Sequence, residues 1–87
     1  MITKLQVLNL MEKNEVIEPI ELANYFGMRY QWAKQRINRL RRAGLIEPLS
    51  IERGRWILSL EGYRKADYLR RRESKRFQRL SKALLNS

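Results

Sequence analysis

The chain contains no cysteine and no histidine. Their absence excludes disulfides, zinc sites built from Cys and His, thiol nucleophiles and imidazole acid–base catalysis. The carboxylates are scattered, and we find no pair or cluster among them that would suit general acid–base work or metal binding. We therefore expect a protein that is not an enzyme and that holds no metal or other cofactor.

Long hydrophobic runs are also missing. No apolar stretch approaches the roughly 20 residues that a transmembrane helix needs, and the N-terminus lacks the apolar segment of a signal peptide. We expect a soluble, cytoplasmic protein with no membrane partner. The 87 residues, of which 44% are hydrophobic, suffice for one small core.

Acidic residues are also few. The chain has 9 acidic against 19 basic residues, which gives a net charge of +10 and a pI near 10.7. Such an excess fits a nucleic-acid partner first and an anionic membrane surface second. Residues 1–26 carry two lysines against four glutamates, so we expect the positive field to lie on the rest of the molecule. Arginine outnumbers lysine by 13 to 6, which suits bidentate base and phosphate contacts or reflects the composition of the host's proteins.

The segment 29–44 has six basic residues, no acidic one and helical periodicity. Ala33, Ile37 and Leu40 fall on one apolar stripe. Amides and arginines cluster on the opposite side, and both can bond base edges or phosphates. We predict a DNA-contacting surface there, the alternative being a solvated polar face. From this segment the prediction takes Arg29, Gln31, Lys34, Gln35, Asn38, Arg39 and Arg42.

Capping residues divide the first half of the chain into three helices. Thr3 and Gln6 fit a capping box that opens a helix ending near Lys13. An extended piece at 16–18 leads into a helix at 19–26, which begins with Pro19 and stops at Gly27. The basic helix, 29–43, follows directly. This order of elements is that of a helix-turn-helix, in which a short helix is followed by a tight turn and a longer basic helix.

The remainder reads as a β-hairpin followed by a long helix. Strands are predicted at 46–51, an edge strand because of Pro48, and at 56–58. The turn at 52–55 carries Arg53 and Arg55, for which DNA contact and ordinary hairpin solubility are both open. Ser59 is predicted to cap a helix from about 60 to the mid-80s, either continuous or frayed at its end. The expected core contains Leu5, Leu8, Leu22, Phe26, Ile37, Leu40 and Ile57.

Three segments together resemble the winged helix-turn-helix transcriptional regulators of the broad MarR-type and ArsR-type class, and more loosely their small archaeal and archaeal-virus members. They are ELANYFGM at 21–28, INRLRRAGLIEP at 37–48 and RWILSLEGYRKADYL at 55–69. The resemblance covers residues 3–69 and implies a mainly α fold with a small β-hairpin (α+β). The first wing strand would follow the recognition helix.

The resemblance also implies a partner and a set of contacts. The partner would be double-stranded DNA, with contacts at Tyr30, Gln31, Lys34, Gln35 and Asn38. Trp32 departs from the family, since a small Ser or Thr is common there. The ligand and metal motifs of ArsR-type regulators and the N-terminal dimerisation helix of longer MarR-type members are missing. No small-molecule effector is therefore implied.

The last helix carries surplus apolar residues. Leu69, Phe77, Leu80 and Leu84 are predicted to form a homodimer seam, or to fold back on the core of the same chain. The basic run at 70–76 has three open interpretations, namely phosphate contact, a flank of the dimer seam and a solvated tail. We divide the chain into a DNA-binding domain at 1–69 and an extension at 70–87. A sequence-specific regulator, expected to be a dimeric repressor, is the favoured function. The alternative is a winged-helix module for architecture, replication, or protein or RNA interaction.

Overall fold

The structure is a computed structural model that describes residues 2–50 and 54–85, with the backbone alone at residue 77 and at 79–85. Within these ranges the chain is mostly helical, with a small antiparallel sheet. In chain order the elements are α1 (Lys4–Asn14), α2 (Pro19–Phe26), α3 (Tyr30–Arg42), β1 (Ile46–Pro48), β2 (Trp56–Leu58) and α4 (Leu60–Leu85). The helices of the described part include no segment with the length and hydrophobicity of a membrane span.

Helix α1 begins at the predicted capping box. The backbone N–H of Gln6 donates to Thr3 Oγ1 at 3.2 Å, and the backbone N–H of Thr3 donates to Gln6 Oε1 at 2.8 Å. This exchange satisfies backbone donors that the first turn leaves without helical partners. One face of α1 is then buried in the core: Leu5, Val7, Leu8, Leu10 and Met11. Helix α1 packs against α4 and β2.

A glycine turn joins α2 to α3 as predicted. Gly27 has φ 66° and ψ 33°, a left-handed conformation that side chains with a Cβ adopt at a cost. The N–H of Met28 donates to the carbonyl of Ala23 at 2.9 Å, which closes the end of α2. Leu22 is fully buried in α2, whereas Phe26 is only half-buried against the core. The turn places α2 directly against α3.

Strand β2 makes backbone hydrogen bonds along both of its edges. Ile46 pairs with Leu58 in an antiparallel register, and β2 also exchanges backbone hydrogen bonds of 2.9 Å between Trp56 and Ile17. Strand β1 is therefore at the edge, where Pro48 is tolerated. The prediction that Ile57 lies in the core is wrong. Leu58 is the buried residue of β2, and Trp56 packs beside it, because alternate residues of a strand face the same side.

Ser59 connects the hairpin to α4. Its Oγ accepts from the backbone N–H of Gly62 at 3.1 Å and donates to the carbonyl of Gly44 at 2.6 Å, so the predicted cap is confirmed. Helix α4 runs without interruption through the predicted boundary at 69/70. Ala66 is buried, and Leu69 is half-buried against the core of its own chain. Part of the Leu69 side chain thus belongs to the fold of one copy instead of being available for a seam.

Candidate nucleic-acid interface

The outer face of α3 presents amides and arginines together. Ala33, Ile37 and Leu40 anchor the opposite face in the core, so the periodicity prediction is confirmed. All of the predicted residues on the outer side are exposed: Gln31, Gln35, Asn38, Arg39 and Arg42. The side chains of α3 that can donate to and accept from base edges therefore share one solvent-facing surface.

The flank of α3 nearer the hairpin carries an aromatic ring paired with a cation. The ammonium of Lys34 lies 5.4 Å from the centre of the Tyr30 ring, one helical turn away. Both residues, with Asn38, line a groove of about 340 Å³ that reaches Gly54 and Trp56 of the hairpin. Gly54 has φ 81°, as a tight turn demands. The start of α2, with Glu18, also lines the groove, which leaves Tyr30 and Lys34 accessible.

The flank of α3 nearer α1 carries a second such pair. The guanidinium of Arg29 lies 5.7 Å from the centre of the Trp32 ring, and Trp32 is 56% exposed. Trp32 lines a groove of about 420 Å³ together with Gln35 and Arg39. Attraction between a cation and an aromatic face contributes about 0.5–1 kcal/mol at exposed sites, so both cations have a preferred position before any partner arrives.

Ion pairing divides the cations of the molecule into two classes. Within the described residues, no ion pair involves any of the basic side chains of α3 or its N-cap: Arg29, Lys34, Arg36, Arg39, Arg41 and Arg42. By contrast, Arg64 pairs with Glu61 at 2.7 Å, in the first turn of α4. Unneutralised like charges repel each other, and a polyanion would relieve that repulsion. Helix α3 and its N-cap thus offer such a partner six cations within 14 residues, and exposed cations of α4 such as Arg72 and Lys75 are likewise in no ion pair among the described residues.

Arg55, predicted to reach DNA from the hairpin, contacts an acidic residue. Its Nε lies 3.1 Å from Glu18 Oε1, at the N-cap of α2, and both side chains remain partly exposed. An exposed ion pair of this kind contributes little and is weakened by salt. The contact ties the base of the hairpin to the start of α2. Arg53, the other predicted hairpin contact, lies outside the described residues.

The basic run of α4 begins with a residue that serves the fold. Arg70 donates to Glu12 Oε2 at 2.7 Å, to Asn9 Oδ1 at 3.0 Å and to Asp67 Oδ1 at 2.9 Å. The hydrogen bond from Arg70 lowers the pKa of Asp67 below its usual value, and the charges of Arg70 and Arg71 add to the effect. Hydrogen bonds to Glu12 and Asp67 raise the pKa of Arg70. Phosphate contact by Arg70 would require breaking these bonds.

Residues 71–76 of α4 are exposed, so the three interpretations of this run stay open for them. The side chains of Phe77, Leu80 and Leu84, predicted for the dimer seam, lie outside the described residues.

Sequence reasoning missed one cation near α3. Lys4, in the first turn of α1, lines a cleft of about 270 Å³ with Arg36 and Arg39. The charge count predicts that the positive surface lies outside residues 1–26, because the charges of that segment are mostly acidic. Nothing in the local sequence of α1 indicates that its first turn lies against α3, since this contact is set by packing between distant helices.

No family model, curated protein or solved structure matches the chain. The function must therefore be inferred from the chemistry of this surface alone.

Proposed function

We propose that the chain is a sequence-specific, double-stranded DNA-binding transcriptional regulator of the winged helix-turn-helix type. In this proposal α2, the Gly27 turn and α3 form the helix-turn-helix, and the β1–β2 hairpin is the wing. Helix α3 enters the major groove, and the wing lies over the backbone or the minor groove. The protein would act in the cytoplasm, associated with the nucleoid.

The observation that carries the proposal is the composition of the exposed surface of α3. Gln31, Gln35 and Asn38 form an amide stripe along α3. It lies between two flanks of basic residues, and no ion pair among the described residues neutralises them. Proteins that bind only the phosphate backbone need Arg and Lys more than Gln and Asn. Gln35 and Asn38 can each bond an adenine edge bidentately, and Arg42 can bond a guanine edge in the same way. The surface therefore suits reading a base sequence.

The proposed regulator is a homodimer. Two copies held about 34–36 Å apart, one turn of DNA, would read a palindrome, whereas one copy covers a single half-site. The proposed seam is formed by Phe77, Leu80 and Leu84 of α4, with the exposed part of Leu69. A dimer that blocks a promoter represses it, which makes repression the simplest mode of action.

A second candidate is favoured by the two exposed aromatic residues of α3. Tyr30 and Trp32, each with a cation near its ring, resemble the stacking surfaces on which unpaired bases lie in single-strand and RNA-binding proteins. A module of that kind would serve architecture, replication or RNA binding without reading duplex sequence. Stacking of this type tolerates most sequences, so the two candidates differ in specificity.

Selection of bound molecules from random duplex DNA, random single-stranded DNA and random RNA distinguishes the candidates. We expect the duplex pool alone to yield a common motif, and we expect the wild-type protein to bind that motif at least 10³-fold more tightly than a scrambled duplex at physiological salt. Enrichment of single-stranded pools, or a duplex pool without a motif, would favour the second candidate.

A further inference from the structure

The cleft between the start of α1 and α3 concentrates positive charge outside the amide stripe. Lys4 comes from α1, whereas Arg36 and Arg39 come from α3. The remaining lining residues, Val7, Leu40 and Ala43, are apolar, and the lining contains no acidic residue. The volume of about 270 Å³ is small for a drug-sized ligand but sufficient for a phosphate group.

Two contacts hold the first turn of α1 in this position. Arg36 donates from Nη2 to the carbonyl of Ile2 at 2.7 Å, which fixes the start of the chain against α3. The capping box of Thr3 and Gln6 then fixes the first turn of the helix. Arg36 is half-buried and serves as an anchor, so Lys4 and Arg39, both exposed, are the cations left to meet a ligand.

Lys4 lies where helix electrostatics disfavour it. It is the first residue of α1, at the positive end of the helix dipole, and the first turn contains no acidic residue. No ion pair within the described residues involves Lys4 or Arg39. Repulsion from Arg36, Arg39 and the dipole acts on the same ammonium group. A bound anion would relieve all of these costs together.

We propose that Lys4 and Arg39 bind a phosphodiester of the DNA strand on the α1 side of α3. This proposal rests on the proposed function and adds the first turn of α1 to the interface. The major groove is about 12 Å wide, so a helix inside it has one backbone along each flank. The hairpin covers one flank of α3, and the α1 cleft covers the other. Contacts on both flanks fix the position of the amide stripe relative to the bases.

Lys4→Gln and Lys13→Gln form a matched pair for the test. Both substitutions remove one positive charge from α1, and the two positions lie about 13 Å apart along the helix. Lys13 is exposed in the last turn, where a cation is favourable to the helix, so its loss alters the total charge without altering the cleft. Duplex affinity is measured for both variants and wild type on preferred and scrambled duplexes between 50 and 200 mM salt.

We expect Lys4→Gln to reduce the slope of log K against log salt by about 1 for each bound copy, and so by about 2 for the dimer, on both duplexes. The affinity ratio of wild type to Lys4→Gln then shrinks about 3.5-fold per copy and about 12-fold for the dimer across this salt range, since each phosphate contributes about 0.9 to the slope. Lys13→Gln should keep the wild-type slope. Equal slopes for the two variants, with wild-type binding intact, overturn the cleft proposal and leave the proposed function standing. Failure of the wild type to bind duplex overturns both.

A second arm identifies the source of the phosphate. Inorganic phosphate is titrated into the free protein while the amide signals of Lys4 and Arg39 are followed by NMR. Weak shifts without saturation at millimolar phosphate support a backbone site that depends on the neighbouring DNA contacts. Saturation at micromolar phosphate indicates a site for a free anion and overturns the proposal. The midpoint temperature of thermal unfolding of Lys4→Gln should equal or exceed that of wild type, because the substitution removes a cation from the positive end of the helix dipole.

Discussion

Arg70 of α4 donates to Glu12 of α1 across a separation of 58 residues, with Nη1 and Oε2 2.7 Å apart. The same guanidinium reaches Asn9 and Asp67, so one side chain fastens the long helix to the first. The basic run of α4 therefore begins with a residue that has a role in the fold, and only the exposed residues after it are available to contact phosphates, to flank a dimer seam or to form a solvated tail.

Arg70→Ala should lower the free energy of unfolding by about 1 kcal/mol, because exposed ion pairs contribute only about 0.2–1 kcal/mol each and two are lost. Arg71→Ala is the control, since Arg71 lies 3.9 Å from Asp67 and is mostly exposed, and it should change the free energy far less. Denaturant unfolding measures both. Equal effects would contradict the assigned role of Arg70.

The pKa of Asp67 offers an independent readout of the same contact. A carboxyl whose folded pKa is depressed stabilises the fold above its unfolded pKa and loses that contribution as the pH falls through the folded value, here below about pH 4. Arg70→Ala should raise the pKa of Asp67 toward its usual value in an NMR titration. An unchanged pKa would mean that the hydrogen bond does not persist in solution.

Gly62→Ala should destabilise the protein although alanine favours helices. A Cβ at Gly62 would overlap the carbonyl oxygen of Leu45, which Ser59 N–H already holds at 3.0 Å. We expect a loss of about 1–3 kcal/mol in the free energy of unfolding, as for overpacked cores. Gly27→Ala is the control for backbone strain alone, because a Cβ there meets no atom within 4 Å. Gain of stability in Gly62→Ala would refute the predicted overlap.

The dimer seam is tested in the full chain by the double substitution Phe77→Ser and Leu80→Ser. We expect wild type to sediment as a dimer at tens of micromolar on DNA carrying two half-sites, and the double variant to sediment as a monomer with much weaker operator binding. Gln78→Ser, at an exposed position between them, should behave as wild type. Monomeric wild-type protein, both free and on such DNA, would rule out the seam.

Salt dependence tests whether phosphate contacts dominate binding. The net charge of +10 on 87 residues and the unneutralised cations of α3 favour such contacts. If a dimer neutralises roughly 6–10 phosphates, affinity should fall by about 10³ to 10⁵ between 50 and 200 mM salt. Fluorescence anisotropy on a labelled duplex gives the slope. A nearly flat plot is incompatible with the proposed function.

Local chemistry explains which structural features could be predicted from the sequence. The capping box of Thr3, the left-handed Gly27 and the Ser59 cap depend on residues at most a few positions apart, and all three are found as expected. The face of β2 was assigned wrongly, because three residues give too few alternations to decide between Ile57 and Leu58. A strand this short takes its orientation from the core that receives it.

Contacts between distant segments could not be predicted. The partners of Arg70 depend on how α1 packs against α4, and the position of Lys4 beside Arg39 depends on the fold around the anchor of Arg36. The excess of glutamate over lysine in residues 1–26 predicts that α1 does not contribute to the positive surface. The fold instead places Lys4 of this helix next to α3, because only packing determines which end of a helix meets its neighbour.

The central claim is that the amide stripe of α3 reads bases, and Gln35→Ala tests it most directly. Competition binding compares this variant with wild type on the selected duplex and on a scrambled one, with Gln78→Ala as the control for loss of an exposed amide. We predict that Gln35→Ala loses about 1–3 kcal/mol of affinity for the selected duplex and little for the scrambled one, while Gln78→Ala loses neither. Equal losses on both duplexes would contradict base reading by α3.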